Sequence, residues 1–292
     1  MKNIITITII LFLTVSCNTT SAKKKQKNKY VMIETVYGNM IIKLYNKTPL
    51  HRDNFIKLVE QNFYDSLLFH RVIKGFMIQG GDPKSKNSLP GERLGEGGPG
   101  YKIDAEFNTK FIHKKGALAA AREGDQFNPQ KKSSGSQFYI IQGTKITKDR
   151  LQIIENKINE INKQDFLRKY INSPENSDLK NRLDSLKRTH SYRELNDLIN
   201  KKIIKLKPQI DSIKRFKYTE EQKQIYSTIG GAPHLDQNYT VFGEIIDGLN
   251  IIDSIANVKV DRNKRPYNDI IMKVKIIKPS SRWLRKNIGF EK

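Results

Sequence analysis

The chain has 292 residues, with 53 Lys and Arg against 30 Asp and Glu, a formal net charge of +23. That length suffices for one large domain or two modest ones with a buried core, while a mean hydropathy of −0.61 excludes a multi-span membrane protein and 28% charged with 9% aromatic residues argue against wholesale disorder. A single cysteine excludes an intramolecular disulfide and a cysteine-based zinc site.

Residues 1–17 (MKNIITITIILFLTVSC) set Lys2 before an apolar run from Ile4 to Val15. This is the layout of a secretory signal, too short and wrongly flanked for a spanning helix. Ser16-Cys17 resembles the end of a bacterial lipobox, with Thr14 where leucine is usual. Cys17 is then the lipid attachment residue, and two or more acyl chains would anchor it stably. A plain signal peptide and an uncleaved anchor are the other readings. Residues 18–29 carry five lysines and nothing to bury, so they read as a basic tether.

A globular pattern starts at Tyr30. Residues 30–46 alternate apolar and polar side chains around Tyr37-Gly38-Asn39 and predict a hairpin. Residues 48–63 open with Thr48-Pro49 and place Phe55, Leu58 and Val59 at helical spacing. Short apolar strands cut by glycine turns follow over 67–79, 111–121 and 135–142, the pattern of a compact barrel or sandwich.

The character changes over 147–228, which contain no glycine. Leu151, Ile154, Ile158 and Ile161 recur at helical spacing, as do Leu179, Leu183 and Leu186, and then Leu195, Leu198, Ile199, Ile203, Leu206, Ile210 and Ile213. Pro174 separates the first stripe from the second, and Pro208 is placed to kink the last. Thr219-Glu220-Glu221-Gln222 predicts a capping box for one more short helix. Strands then resume over 239–246 and 268–277, with a helical turn near 247–256. A helical insertion within a β domain accounts for this order, because the returning strands need partners. The predicted division is 1–17 signal, 18–29 tether, 30–143 with 229–280 barrel, 144–228 helical insertion and 281–292 basic tail.

The charge sits on the appendages. Residues 145–228 carry 20 basic and 12 acidic side chains, and 257–292 carry 11 and 3. Solvated helix faces are the plain reading of this excess. Attraction to anionic lipid is the functional one, at about 1 kcal/mol per basic residue near such a surface. Nucleic acid is not expected as a partner of an exported chain.

Three blocks carry chemistry: Phe69 to Asp82 (FHRVIKGFMIQGGD); Ser134-Gly135-Ser136-Gln137-Phe138-Tyr139, preceded by Gly116 to Ala121 (GALAAA); and Pro233-His234-Leu235-Asp236 with Tyr239 to Gly243 (YTVFG). Taken singly, Phe76, Met77, Leu235 and Phe138 read as barrel core, and His70 as a structural partner. In this order the blocks resemble the cyclophilin family of peptidyl-prolyl isomerases over about 30–143 and 229–277. The resemblance implies a mainly β fold: an eight-stranded antiparallel barrel capped by two helices, here with an inserted α-helical subdomain. It also implies a groove for Xaa-Pro segments of unfolded or partly folded proteins. The implied catalytic positions are Arg71, Phe76 and Gln79; the implied substrate-binding positions are Met77, Ala121, Arg122, Tyr139, His234, Leu235 and Tyr239. Tyr139 stands where phenylalanine is common, His234 replaces a frequent tryptophan, and Tyr239 a frequent histidine.

These residue types suit the reaction. The barrier to peptide rotation is resonance, roughly 18–20 kcal/mol, so no metal or cofactor is expected. An enzyme needs an apolar socket for proline and a fixed cation that favours the twisted amide. The expected function is therefore isomerisation of Xaa-Pro bonds in exported proteins by a monomer lipid-anchored in the cell envelope and facing the periplasm. A proline-binding or chaperone-like envelope module, whose insertion recruits a partner, is the alternative; a purely electrostatic envelope protein is a third.

Overall fold

The computed structural model describes residues 28–280 and 282–284. Cys17, the signal segment and most of the tether and tail lie outside these residues. Among the described residues no helix is long and apolar enough to cross a membrane.

β1 (Lys29–Thr35) and β2 (Gly38–Leu44) form the hairpin, paired from Lys29↔Leu44 to Thr35↔Gly38. α1 (Pro49–Glu60) starts with proline in its first turn, where the missing N–H costs nothing. β3 (Arg71–Ile73), β4 (Met77–Gly80), β5 (Lys102–Ile103), β6 (Ala117–Ala120), β7 (Ser133–Ser134) and β8 (Phe138–Ile141) follow. Then come α2 (Lys148–Ile171), α3 (Ser177–Arg188), α4 (Tyr192–Asp211), α5 (Glu220–Thr228), β9 (Val241–Asp247), α6 (Leu249–Ala256) and β10 (Lys273–Ile277). The Thr219 capping box is formed in full. Pro208 lies in the last turns of α4, which continues to Asp211. The two-stranded sheet of β5 and β7 had no sequence signal, because each strand is only two residues long.

Eight strands form one antiparallel sheet in the order β10-β1-β2-β9-β6-β8-β4-β3. Its ends do not meet as a full ladder. The chain entering β3 closes on the chain entering β10 through the Leu68↔Ile271 bridge, with Phe69 N–H donating to Ile270 O at 2.9 Å and Met272 N–H to Leu67 O at 2.9 Å. α1 lies against β9 and β10, and α6 against β2, β3 and β4. Between them sits the main core, including Val31, Ile33, Met40, Ile42, Phe55, Tyr64, Phe69, Ile78, Leu118, Phe138 and Ile252. Each large apolar side chain buried there contributes about 1.5–3 kcal/mol.

Strand periodicity splits each central strand between two cores. Ile78, Leu118, Ala120, Phe138, Ile140 and Phe242 face the barrel interior. Their neighbours Met77, Ala117, Ala119, Tyr139, Ile141 and Val241 point to the other face and form a second apolar cluster there. Both faces of these strands are buried, which is why they read as continuous apolar runs rather than alternating ones.

The insertion leaves and returns at one point. Gly231 N–H donates to Thr144 O at 2.9 Å, and Thr144 N–H to Gly231 O at 3.3 Å. A Cβ on Gly143 would lie 2.4 Å from the Gly231 Cα, so the stems approach this closely only with glycine there. The apolar stripes do not all pair with one another. Leu183, Leu186 and Leu195 pack together with Ile171, Leu179, Leu198 and Ile199, joining α3 and α4 to the end of α2. Leu151, Ile154 and Ile158 instead pack with Phe216, Tyr218 and Tyr226 and with Ile112 of the barrel. Periodicity identifies an apolar face but not which surface covers it.

His70 shows what the buried interior costs in acid. Its side chain is 2% exposed, and neither ring nitrogen has a hydrogen-bond partner. Burial lowers its pKa from the ordinary 6.5 to about 4; Asp82 works against this shift, and Arg71 and Arg265 reinforce it. The folded chain therefore holds His70 neutral where the unfolded chain protonates it. Its contribution is complete above pH 6.5 and lost as pH falls towards 4, about 3 kcal/mol over that window. The urea midpoint of the wild type should fall more between pH 7.5 and 4.5 than that of His70→Leu; identical falls would show that His70 is not responsible.

Candidate active site

The outer face of the central strands brings the sequence-nominated residues together by register. Arg71 pairs with Gln79, Gln79 with Tyr139, Tyr139 with Ala119 and Ala119 with Val241. One row across β3, β4, β8, β6 and β9 thus runs from a cation through an amide and a phenol to two small apolar side chains. Because period two is strict, a one-residue slip in any strand would turn its member of the row inward.

At the polar end, the Arg71 guanidinium donates through Nη1 to Gln79 Oε1 at 2.9 Å. Gln79 Nε2 donates to Gln137 Oε1 at 3.0 Å, and Gln137 Nε2 to the carbonyls of Gly95 and Gly97 at 3.0 and 2.7 Å. The amides are thereby oriented from the loop at 95–97 inward to the guanidinium. Gln137 lies in the nominated GSQF block but was not singled out; its partners are set by a loop far away in the chain. Arg71 is half-buried, and burial draws its pKa below the ordinary guanidinium value. Tyr239 is close enough to act on it electrostatically.

Arg71 differs from the other arginines packed into the barrel. Arg52 pairs with Asp53 at 2.7 Å, Arg122 with Asp125 at 2.6 Å and Arg265 with Asp269 at 2.9 Å. No carboxylate among the described residues forms an ion pair with Arg71. A half-buried cation whose one hydrogen bond goes to a neutral amide keeps its remaining donors for another acceptor.

At the apolar end, Met77, Tyr139, Leu235 and Ala121 are buried, with Phe76 and Tyr239 partly buried against them. Ala117, Ala119 and Ala121 add small side chains to the same cluster. His234 is exposed, its ring 5.3 Å from that of Phe76. Arg122 lies over the Tyr239 ring, with Cζ 4.4 Å from its centroid, and Nε donates to Asn238 O at 2.9 Å. Such a cation–π contact is worth on the order of 1 kcal/mol; here it props one wall. Beside Gln79, Ala121, Arg122 and Gln137 opens a cleft of about 680 Å³, bounded by the glycine-rich stretch from Gly95 to Gly100. All ten nominated site residues in the described part of the chain line or adjoin this one surface. Chemically the surface offers a permanent cation beside a cluster of apolar side chains and an adjoining cleft. It suits an extended peptide with a compact apolar residue.

Joined to this apolar cluster through Tyr139 is a group that sequence reasoning missed. The Tyr139 hydroxyl is 3.0 Å from His113 Nε2, and His113 Nδ1 is 2.7 Å from Asp236 Oδ1. His113 stood in the sequence as a lone histidine with no ligand spacing, and Asp236 as the last residue of a short block. Only the fold brings them to within hydrogen-bond reach across 123 positions.

The family model described as "Cyclophilin type peptidyl-prolyl cis-trans isomerase/CLD" matches residues 30–164 and 174–276. A Staphylococcus aureus protein named as a putative peptidyl-prolyl cis-trans isomerase is 28% identical over 243 residues, covering 83% of this chain and 88% of its own length. A Streptococcus pyogenes protein named as a putative bifunctional phosphatase/peptidyl-prolyl cis-trans isomerase is 26% identical over 83% of this chain, which spans 37% of that longer protein. Among solved structures, a Cryptosporidium parvum cyclophilin type peptidyl-prolyl cis-trans isomerase is 20% identical, with 87% of this chain and 100% of that chain covered, at a TM-score of 0.49.

Proposed function

This chain belongs to the cyclophilin-type peptidyl-prolyl cis-trans isomerases, and from that premise we propose that it isomerises Xaa-Pro bonds of exported proteins non-covalently, with Arg71 beside an apolar proline socket. The observation that carries this reading is the cross-strand row: the guanidinium without a carboxylate partner stands in register with Gln79 and Tyr139. Phe76, Met77, Tyr139 and Leu235 enclose the pyrrolidine ring, with Tyr239 on the rim. Ala121 leaves room for the chain to pass, and the cleft beyond Gln79 and Arg122 takes residues flanking the proline.

Arg71 does the chemistry through charge. A planar imide shares the nitrogen lone pair with its carbonyl; the twisted state localises that pair on nitrogen. A guanidinium donating to the prolyl carbonyl and facing the nitrogen stabilises the twisted state more than the planar one. No bond forms or breaks, and no proton needs to leave the enzyme. Gln79 holds the fork of Arg71 in place.

The site of action rests on the sequence of residues 1–29. An export signal, the cysteine at its end and a lysine-rich tether support a lipid-anchored protein acting at the cell envelope, on the periplasmic side. Two measurements test these parts separately. Exchange NMR on a short Ala-Pro peptide should show interconversion far faster than the uncatalysed tens of seconds; an unchanged rate at saturating protein would remove the catalytic reading. Fatty-acid labelling of the full chain in a bacterial host should depend on Cys17, and label retained in Cys17→Ser would remove the anchor.

A further inference from the structure

One buried carboxylate joins the helical insertion to the proline socket. Asp236 Oδ1 accepts the His113 backbone N–H at 2.8 Å and faces His113 Nδ1 at 2.7 Å. Asp236 Oδ2 accepts the hydroxyls of Tyr218 at 2.8 Å and Tyr226 at 2.5 Å. Two oxygens receiving four donors is the full capacity of an ionised carboxylate in this geometry. In the tautomer that directs the Nδ1 proton at Asp236, Nε2 of His113 is an acceptor and the Tyr139 hydroxyl donates to it. The His113 and Tyr139 rings lie 13° from parallel, 6.0 Å apart. Burial, with Asp236 for all three and Tyr239 for Tyr139, raises the pKa of these phenols, which keeps them protonated.

Tyr218 and Tyr226 come from the insertion, Tyr226 within α5 and Tyr218 just before it. The insertion holds them firmly. Their rings meet edge-on at 5.6 Å, Tyr218 meets Phe216 in the same way at 4.8 Å, and Leu151, Ile154 and Ile158 of α2 pack around them. The same cluster includes Ile112, the neighbour of His113. A second tie reaches the opposite wall: Asp165 of α2 pairs with the buried Lys131 at 2.5 Å, and Arg122, which props Tyr239, pairs with Asp125 near that lysine.

We propose that the insertion is a positioning element for the proline socket, acting through Tyr218 and Tyr226 on Asp236, through Asp236 on His113, and through His113 on the ring of Tyr139. The physical need is plain. A phenol lining an apolar hollow carries a hydroxyl that must find an acceptor. Left free, it turns into the hollow and presents oxygen to the proline ring. Anchored to His113, it points away, and the socket meets proline with carbon alone. Tyr218, Tyr226, Asp236 and His113 are positioning residues; none of them needs to touch the peptide. The inference rests on the reading that this socket holds proline.

A double-mutant cycle decides it. Tyr218→Phe with Tyr226→Phe removes two hydroxyls and keeps both rings. The pair is introduced into the full chain with Tyr139 intact and into a Tyr139→Phe background. Each protein is assayed for kcat/KM and for Kd of an Ala-Pro peptide. With Tyr139 present, the pair should lower kcat/KM by about five- to tenfold, mostly through KM, and weaken binding in parallel. In the Tyr139→Phe background the same pair should change either quantity less than about twofold, because the hydroxyl it orients is gone. Equal losses in both backgrounds, or no loss with Tyr139 intact, would overturn the proposal. If the paired variant does not fold, Tyr218→Phe alone carries the same cycle with a smaller factor, Tyr226 remaining on Oδ2. Should the wild type bind the peptide without turning it over, the catalytic reading falls while the Kd cycle still decides the positioning.

Discussion

Arg71→Ala should lose about 10²–10³-fold in kcat/KM on an Xaa-Pro peptide while melting within a few degrees of the wild type. The first half follows from what the guanidinium supplies. Removing one preorganised donor aimed at a charge that develops in the transition state costs a factor of this size. The second half follows from how little the fold asks of Arg71. It is half-buried, its hydrogen bond is to Gln79, and Gln79 keeps its tie to Gln137 when the guanidinium is gone. The same substitution at Arg52, Arg122 or Arg265 would break an ion pair; at Arg71 none among the described residues is broken. Arg71→Lys keeps the charge but loses the planar fork, so it should recover only part of the activity. Exchange NMR gives the rate, and a thermal melt gives the fold. Turnover like that of the wild type in Arg71→Ala would discard the mechanism.

Asp236→Ala should produce the largest loss of stability of any single change near the site, about 3–5 kcal/mol. The carboxylate is 1% exposed and serves as acceptor for the His113 backbone N–H and ring, the Tyr218 hydroxyl and the Tyr226 hydroxyl. Alanine leaves four buried donors without their acceptor, and a buried donor unpaired costs about 1–3 kcal/mol. Rotation of the hydroxyls recovers part, since Tyr218 also lies 3.2 Å from Pro233 O. Asp236→Asn retains an acceptor and the shape and should lose less. Urea titration of both variants at pH 7.5 measures the difference. A midpoint for Asp236→Ala equal to that of the wild type would mean the hub carries no net stability, and the apolar cluster around Ile112 with the Asp165–Lys131 and Gln222–Thr109 contacts would then join the insertion to the barrel.

The two experiments separate the parts of the site. Arg71 stands on the open face and concerns the reaction; Asp236 is buried and concerns the fold that shapes the apolar cluster. A chain that loses turnover without losing stability, beside one that loses stability first, is the signature expected when the half-buried Arg71 serves the reaction and the buried Asp236 serves the fold.

Local chemistry made many features legible in advance. The turn before Gly38, the proline opening α1, the capping box at Thr219 and the three apolar stripes each depend on residues within a few positions of one another, so their order along the chain is enough. The three motif blocks likewise contain nine of the ten nominated positions, and Arg122 directly follows one of them; the structure places these ten on or beside one surface. The hydrogen-bonded group joined to the apolar cluster was invisible because its members are solitary in sequence: His113, Tyr139, Tyr218, Tyr226 and Asp236 share no spacing rule. The destination of the α2 stripe was hidden for a related reason. Apolar periodicity states that a face is buried and is silent about the partner, and here half of that helix turns to Ile112 of the barrel rather than to α3 and α4.

What this sequence settles unaided is therefore its elements, its residue types and the family its blocks resemble. What the tertiary structure alone decides is that Arg71 stands at the site with no carboxylate partner among the described residues, that Asp236 has four donors, and that two of those donors come from the segment with α5. The reason is physical: helices, turns and caps form from interactions among near neighbours, whereas the charge balance of a buried group depends on every chain segment that comes within a few ångströms of it.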